Sequence, residues 1–562
     1  MLKKHFNLPL FFLNIYKIFP KNIAMEKAKV KGKTSSKFAR GTLILTIGAL
    51  LCKVIGAFYR IPLSNILGPE GIGVYQLVFP VYSLFLIFAS GGVPAALSKL
   101  VASCRAKGEK SRAKRFLFQA LLLLTFLSFI FSLLFFLLGA KIATFQGNSL
   151  ASLGYVGAAA AIIFASVLTA FRGYFQGYQN MLPTAVSQIL EQVLKLVLGL
   201  TFAFLLIKKG VGFGAMGAML GVAVGEVVAL SYLFISYLAK REKTDILEPK
   251  NEKRFWQDFW LFIKQVFPIT LNASILPLIL AVDSFLIVNL LNSSGVSSLF
   301  STQMFGVYSG MVNSLINFPT IVSTALATAL IPAISFQDEL GKNEKIESIF
   351  KIIFFVSIPF VFIFLTFSRE IISILYPSTT QGELLEIGAL LLRICAINVF
   401  YISILQVATA ILQAKNRSFG ALLNLFVAGI VKVLLTVFLV QSPLLIYGAA
   451  VASVMCYAIS SGLNVIMLRE EVRFGLSIKS LCFIFLNSLL AIGIAVGFNE
   501  LFLLAFSGLV SMVFALLIAG FSYLLLCIFA PIFEDDEIEK IPFGIAINFL
   551  RNKLKIRKNG NN

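Results

Sequence analysis

Eight ionisable side chains of this 562-residue chain fall inside apolar runs long enough to cross a bilayer. Five are cations: Lys53, Arg60, Lys195, Arg393 and Lys432. Three are acids: Glu191, Glu226 and Asp283. A charge at the centre of a hydrocarbon slab costs about 2.5–3.5 kcal/mol on insertion scales, so each needs a partner or a task. Lys53, Lys195 and Lys432 lie roughly 16–20 Å along their helices at 1.5 Å per residue, too deep for easy snorkelling. Lys53 and Arg60 are seven residues apart and share a helix face, and Gly56 between them lets another group approach the backbone. Glu191 and Lys195 are four apart and can pair, while Gln188 and Gln192 widen their face into a polar stripe. Lys432 has no acid on its own run, and Asp283 is available to neutralise a cation from elsewhere. Five cations against three acids leave a positive surplus, which favours an anion such as phosphate or pyrophosphate held by charge-assisted hydrogen bonds. Two plainer readings stay open: a headgroup contact for Arg60, near the end of its run, and purely structural pairing for Glu191, Lys195 and Asp283.

The surrounding sequence dictates the elements that carry these charges. The chain is 58% hydrophobic and 13% charged, with a mean hydropathy of +0.91. A soluble domain is closer to half apolar and a quarter charged. These values exclude a water-soluble enzyme, a disordered chain and a disulfide scaffold. Fourteen apolar runs predict an all-α polytopic membrane protein with fourteen transmembrane helices, spans 1–14, because backbone groups in lipid must bond internally. The single histidine, His5, lies in the N-terminal tail, and none of the six cysteines forms a close pair. Metal ligation and histidine-based catalysis are therefore not expected, nor is any cofactor. ATP hydrolysis is not expected either, since no Walker A motif is present.

The net charge of +22 is distributed unevenly. Loops after odd spans hold only Lys141, Lys208, Lys209 and Arg369, whereas loops after even spans hold twenty-three cations and the two tails sixteen. The positive-inside rule then places both termini in the cytoplasm. The basic loops are expected to touch anionic membrane lipid, and no groove-reading motif points to a nucleic acid. Residues 6–20 are apolar but short and interrupted by Pro9 and Lys17. They read either as an interfacial segment or as sequence preceding a true start at Met25.

The chain also repeats itself. Residues 175–200 align with 412–437 at a shift of 237, pairing Gln176 with Gln413 and Lys195 with Lys432. Val93-Pro94-Ala95 similarly matches Ile331-Pro332-Ala333. Parallel repeats are a transporter architecture. The expected organisation is a basic cytoplasmic tail (1–40), an N-lobe of six helices (41–240), a cytoplasmic linker (241–264), a C-lobe of six helices (265–470), two further helices (471–530) and a charged tail (531–562). Proline and glycine punctuate the bundle at Gly91-Gly92, Pro268, Pro277, Pro319 and Pro332, sites able to bend a helix.

The stretches KVIGAFYRIPLSNILGPEGIGVYQL, GGVPAALSKL, FRGYFQGYQNMLPTAVSQILEQ and INFPTIVSTALATALIPAIS resemble the polysaccharide-transport branch of the MOP flippase superfamily. Within it, the sporulation proteins and MurJ-like lipid II flippases of Gram-positive bacteria are the nearest in pattern. The resemblance implies two six-helix lobes around a cavity, with two more helices forming a lipid-facing groove. It also implies export of an undecaprenyl-pyrophosphate-linked cell-wall or polysaccharide precursor across the cytoplasmic membrane by alternating access. Lys53 and Arg60 match the basic motif of span 1 that lines the cavity. Lys195, Arg393 and Lys432 are further substrate-binding candidates, and Glu191, Glu226 and Asp283 are charge-balancing or ion-coupling candidates. Spans 2 and 8 lack the deep cation of Gram-negative lipid II flippases, with Phe85-Leu86 and Ser314–Phe318 at those levels. The expected partner is a lipid-linked pyrophosphoryl oligosaccharide, together with cell-wall synthesis machinery. The alternatives are a multidrug and toxin extrusion antiporter, and a membrane glycan polymerase or ligase. The net-positive core disfavours the first; the short, charge-poor outer loops disfavour the second.

Overall fold

A computed structural model describes residues 32–239, 252–335, 339–377, 382–415, 417–469, 478–504 and 508–529. His5, Met25 and the segment 6–20, residues 241–251 of the expected linker and the C-terminal tail lie outside these residues. Every regular element among them is helical. In chain order they are α1 Gly32–Ser90, α2 Val93–Ala106, α3 Lys110–Phe145, α4 Ala151–Gly177, α5 Met181–Leu206 and α6 Val211–Ala239. There follow α7 Glu252–Ser293, α8 Ser298–Phe305, a π-helical turn at Gly306–Val312, α9 Asn313–Asn317 and α10 Thr320–Ser335. The remainder are α11 Glu339–Thr366, α12 Ser368–Leu375, α13 Glu383–Cys395, α14 Asn398–Ala414, α15 Ser418–Val440, α16 Ile446–Leu468, α17 Ile478–Leu503 and α18 Gly508–Phe529.

Among the described residues, eleven helices are long and apolar enough to cross a membrane, or twelve when α13 and α14, bent by 42° at their junction, form one span. The expectation was fourteen, and the differences fall where helices are merged or interrupted. Spans 1 and 2 run on as one 63-residue stretch, Ile44–Ala106. That is about 95 Å at 1.5 Å per residue, roughly three hydrocarbon thicknesses. The stretch is broken at Gly68, whose φ of 72° is open to glycine, with Pro69 following to restart the helix. Span 8 is divided among α8, the π-turn, α9 and α10, none of which reaches 18 residues.

The described helices gather into two units, one of most of α1 with α2–α10 and α12–α16, the other of α11, α17 and α18. In the smaller unit α11 packs on α17, and α17 on α18. The Tyr523 hydroxyl donates to the Phe355 carbonyl at 2.9 Å, and Ser511 caps Asn499 through its side-chain oxygen at 2.8 Å.

The larger unit is built around small residues. A Cβ on Gly221 of α6 would collide with the backbone of Gly199 on α5, and one on Gly217 with the backbone of Phe202, so α5 and α6 touch nearly backbone to backbone. Helix ends repeat with the sequence shift: α4 ends at Gly177 and α14 at Ala414, while α5 starts at Met181 and α15 at Ser418.

Helices of the first and second halves of the chain meet within this unit at two levels. On the expected outer side, Gly73 lies against the Thr302 backbone and Gly306 against Pro69 and Gly73. The buried Gln146 side chain there donates to the Leu77 carbonyl (2.8 Å) and to Ser284 Oγ (3.0 Å), and accepts from the Tyr155 hydroxyl (2.8 Å). Toward the other side, Gly92 donates its backbone N–H to Thr270 Oγ1 at 3.0 Å. There, Phe262 and Val266 of α7 enter a core shared with Leu97, Phe116, Leu168 and Phe171. The buried Asp258 carboxylate receives Arg112 at 2.7 Å and Arg115 at 3.3 Å. Arg112 also bonds Glu109 at 3.1 Å, which holds that carboxyl below its ordinary range.

The close approach at Gly73 makes a direct prediction. Gly73→Val should lower the thermal midpoint of the purified protein in detergent, by the equivalent of about 1–3 kcal/mol, because the added atoms have no room. Gly493→Ala, whose new Cβ would meet nothing within 4 Å, should leave the midpoint unchanged. Size-exclusion after graded heating reads both.

Candidate anion site

Arg60 of α1 and Lys195 of α5 converge on one aromatic ring. The Arg60 guanidinium carbon lies 5.5 Å from the Phe79 centroid. The Lys195 ammonium lies 5.2 Å from the same centroid and 5.3 Å from that of Tyr59. Arg60 also donates to Ser314 Oγ of α9 at 3.4 Å. Among the described residues neither cation has a carboxylate partner. The negative face of the ring attracts each by about 0.5–2 kcal/mol, which holds the cations in place without cancelling their charge. Lys53 stands about 10 Å back along α1 at 1.5 Å per residue. It is exposed, with no hydrogen bond or ion pair among the described residues.

The other expected cations are engaged differently. Lys432 of α15 is buried, 3% exposed, and its ammonium bonds Oδ2 of Asp283 on α7, itself 5% exposed. Asp283 thus neutralises a cation from another run, the pairing that the sequence left open. Arg393, near the end of α13, is exposed and donates through Nε to Ser368 Oγ at 2.7 Å. No contact among the described residues joins it to Arg60 or Lys195.

The expected Glu191–Lys195 pair is not formed. Glu191 instead accepts from Arg172 Nη2 at 2.7 Å and from Gln192 at 3.1 Å. Arg172 in turn donates from Nε to Ser187 Oγ at 3.0 Å. The loop count of the sequence reading had absorbed Arg172, because the apolar run of span 4 stops near residue 170. In fact α4 continues to Gly177, with Gly173 and Gly177 packed against α2. A guanidinium fork reaches Glu191 and Ser187 at once, a geometry that an ammonium lacks, and this leaves Lys195 free to turn toward Tyr59 and Phe79.

Glu226 lies on the same side of this cluster. Gly225 brings α6 against the Glu191 carbonyl and the Lys195 backbone, and the adjoining Glu226 is 4% exposed with Oε2 lacking a partner. The Tyr82 hydroxyl and Gln188 Oε1 are also buried without partners. Most of the surplus positive charge therefore belongs to the first half of the chain. Lys53, Arg60, Arg172 and Lys195 there stand against Glu191 and Glu226, a surplus of two, while in the second half Lys432 and Asp283 cancel and Arg393 adds one.

This arrangement can hold an anion against a membrane-embedded aromatic platform. The sequence profile of the polysaccharide biosynthesis proteins matches residues 38–337, more than half of the chain. The chain belongs to that family. It is 27% identical to stage V sporulation protein B of Bacillus subtilis (strain 168) over 515 residues, 90% of this chain and 98% of the relative. It is 26% identical to the lipid II flippase MurJ of the same organism over 488 residues, 82% of this chain and 88% of the relative. Among solved structures, an inward-facing multidrug resistance MATE family transporter of the MOP superfamily superposes with a TM-score of 0.63 at 15% identity, covering 75% of this chain and 94% of that one. The likeness to the MOP superfamily read from the sequence motifs thus holds, and the fold is that of a multi-pass membrane transporter.

The buried pair of the second half supplies a stability test. Lys432→Met strands Asp283 and Asp283→Leu strands Lys432, so each should cost about 3–5 kcal/mol. Lys432→Met combined with Asp283→Leu should recover most of that loss. Thermal midpoints of the three variants form the cycle; additive losses in the double variant would show that the two residues do not act as a pair.

Proposed function

We propose that this protein is a flippase exporting an undecaprenyl-pyrophosphate-linked cell-wall or polysaccharide precursor, lipid II-like in chemistry, across the cytoplasmic membrane. The observation that carries this reading is the pair of cations, Arg60 and Lys195, fixed on Phe79 without a carboxylate partner. A pyrophosphate satisfies both by charge-assisted hydrogen bonds that a neutral or cationic passenger cannot make. Lys53, further along the same face of α1, hands the pyrophosphate toward or away from that pair. The sugar head occupies the space beside them, and the prenyl tail stays in lipid.

Alternating access then needs the seam at Gly73–Thr302 and Gly306–Pro69 to open on the outer side while the opposite side closes. In this reading the six helices of 41–240 and the six of 265–470 act as two lobes, with both termini cytoplasmic as the loop charges direct. No covalent chemistry is required. Glu226, buried beside the Arg172–Glu191 pair with one oxygen unengaged, is the ion-coupling candidate, and membrane potential is the other source of bias. One charge moved through 100 mV is worth about 2.3 kcal/mol.

The MATE-like fold favours a second reading, efflux of a cationic drug. The charge of the first half opposes it: such a passenger would meet Arg60 and Lys195 with repulsion.

The test is leaflet translocation of a fluorescent lipid-linked pyrophosphoryl oligosaccharide in proteoliposomes. Arg60→Ala and Lys195→Ala should each slow it at least tenfold, about the 1.4 kcal/mol expected from one lost charged hydrogen bond. Lys53→Ala should also slow it, and all three variants should insert normally. Unchanged flipping by the Arg60→Ala/Lys195→Ala double variant would remove the site, and transport of a cationic dye instead of the lipid would favour the drug-exporter reading.

A further inference from the structure

Arg172 lies within the last two turns of α4, which ends at Gly177, and α5 begins at Met181. The link between them is a tight reversal. Gln179 takes a left-handed φ of 58°, and the Asn180 N–H donates to the Phe175 carbonyl at 3.0 Å. The two helices therefore run back to back from this turn, and residues before it face residues after it. Arg172 comes to stand opposite Ser187 and Glu191. Its place is fixed from two further sides. Gly173 and Gly177 lie against Pro94 and Val101 of α2. The Thr184 hydroxyl donates to the Arg172 carbonyl at 3.4 Å.

Glu191 has a choice of cations. Its side chain is 17% exposed and that of Arg172 12%, so water does little to solvate either charge. A carboxylate so enclosed requires a positive partner. One is Arg172, across the turn. The other is Lys195, one turn later on the same helix, and an acid four residues before a base is the more favourable order for a helical ion pair. Arg172 holds Glu191 because its fork also donates to Ser187, and Gln192 adds a further bond to the same carboxylate at 3.1 Å. Were Arg172 to let go, the remaining partner for Glu191 would be Lys195. The Lys195 ammonium would then be neutralised on the spot where it now faces Tyr59 and Phe79. Glu226 is no substitute competitor. One of its oxygens is unengaged, yet among the described residues it makes no ion pair with Lys195.

We infer that Arg172 is a positioning residue for the anion site and that Glu191 is an internal competitor for it. Arg172 makes no contact with the passenger. It sets the affinity by keeping one carboxylate off one ammonium. The inference rests on the reading of Arg60 and Lys195 as an anion site, and its test separates the two.

The purified full-length protein in detergent is titrated with farnesyl pyrophosphate, a short-chain prenyl pyrophosphate, in a calorimeter. Arg172→Gln should weaken binding about tenfold, the worth of one charged hydrogen bond lost at Lys195. Arg172→Gln combined with Glu191→Gln should restore the affinity of the unaltered protein, whereas Arg172→Gln combined with Glu226→Gln should not. Glu191→Gln alone should bind at least as tightly as the unaltered protein. Arg172→Lys keeps the charge but not the fork, so it should fall between the unaltered protein and Arg172→Gln, and it carries the comparison if Arg172→Gln does not fold. A merely structural role for Arg172 predicts a loss that Glu191→Gln leaves in place, and that result overturns the inference. Unchanged binding by both Arg172 variants overturns it too, as does equal rescue by Glu226→Gln, which would reduce the effect to net charge. Failure of the underlying site looks different: the unaltered protein binds no farnesyl pyrophosphate, or the Arg60→Ala/Lys195→Ala double variant binds it as before, and both readings then fall.

Discussion

Two positive groups share one phenyl ring in a medium that tolerates neither alone, and the remaining architecture of the larger unit follows from keeping them there. An acid beside Arg60 or Lys195 would remove the insertion penalty and with it the positive charge that the proposed anion site requires. The acid nearest in sequence, Glu191, is diverted to Arg172. The ring of Phe79 supplies attraction without compensation. Glycine faces on α5 and α6 make the diversion possible, since only near-contact of those backbones brings Glu191, Lys195 and Glu226 into one layer.

The repeat sharpens this point. Lys195 and Lys432 occupy the same register of helices that start 237 residues apart. One lies on aromatic faces without a carboxylate partner, whereas the other is locked to Asp283. Equivalent positions have been put to opposite electrostatic uses, and the difference comes from a neighbouring helix rather than from the lysine itself. α7 brings an aspartate to α15. The helix bringing charge to α5 is α4, and what it brings is an arginine. The embedded charge is therefore unevenly placed, with two cations on one aromatic ring in the first half and a neutral buried pair in the second.

Much of this was legible beforehand. Hydropathy reveals apolar helices because lipid leaves the backbone no other solution, and loop cations mark their ends. The embedded ions other than Arg172 are legible for the same reason. Their pairing was not, because sequence spacing reports only neighbours on one helix. Glu191 and Lys195 at four residues were an attractive pair until a guanidinium arrived from α4, whose last two turns carry too few apolar residues to register as part of the span. The helix bounds depart from the apolar runs for a different reason. Gly68 breaks a helix without leaving a polar gap, and the π-turn at Gly306–Val312 interrupts one without lowering hydropathy. Nor does hydropathy indicate which helices are neighbours, so the grouping of α11 with α17 and α18 had no sequence signature.

α7 ties these features together. At 42 residues it extends about 63 Å, twice the hydrocarbon thickness. Its beginning is fixed to α3 by Asp258 and the two arginines, and its later part to α15 by Asp283 and Lys432. Both anchors are buried ion pairs, expensive to break singly. Any displacement of the first-half helices against the second must therefore be absorbed between Asp258 and Asp283 rather than at either anchor. That interval contains Pro268 and Pro277, each removing a backbone hydrogen bond. It also contains Thr270, whose hydroxyl receives the Gly92 N–H at the break between α1 and α2. The weakest part of the rod thus lies beside the weakest part of its neighbour, so a bend in one can be matched by the other without disturbing the ion pairs at either end.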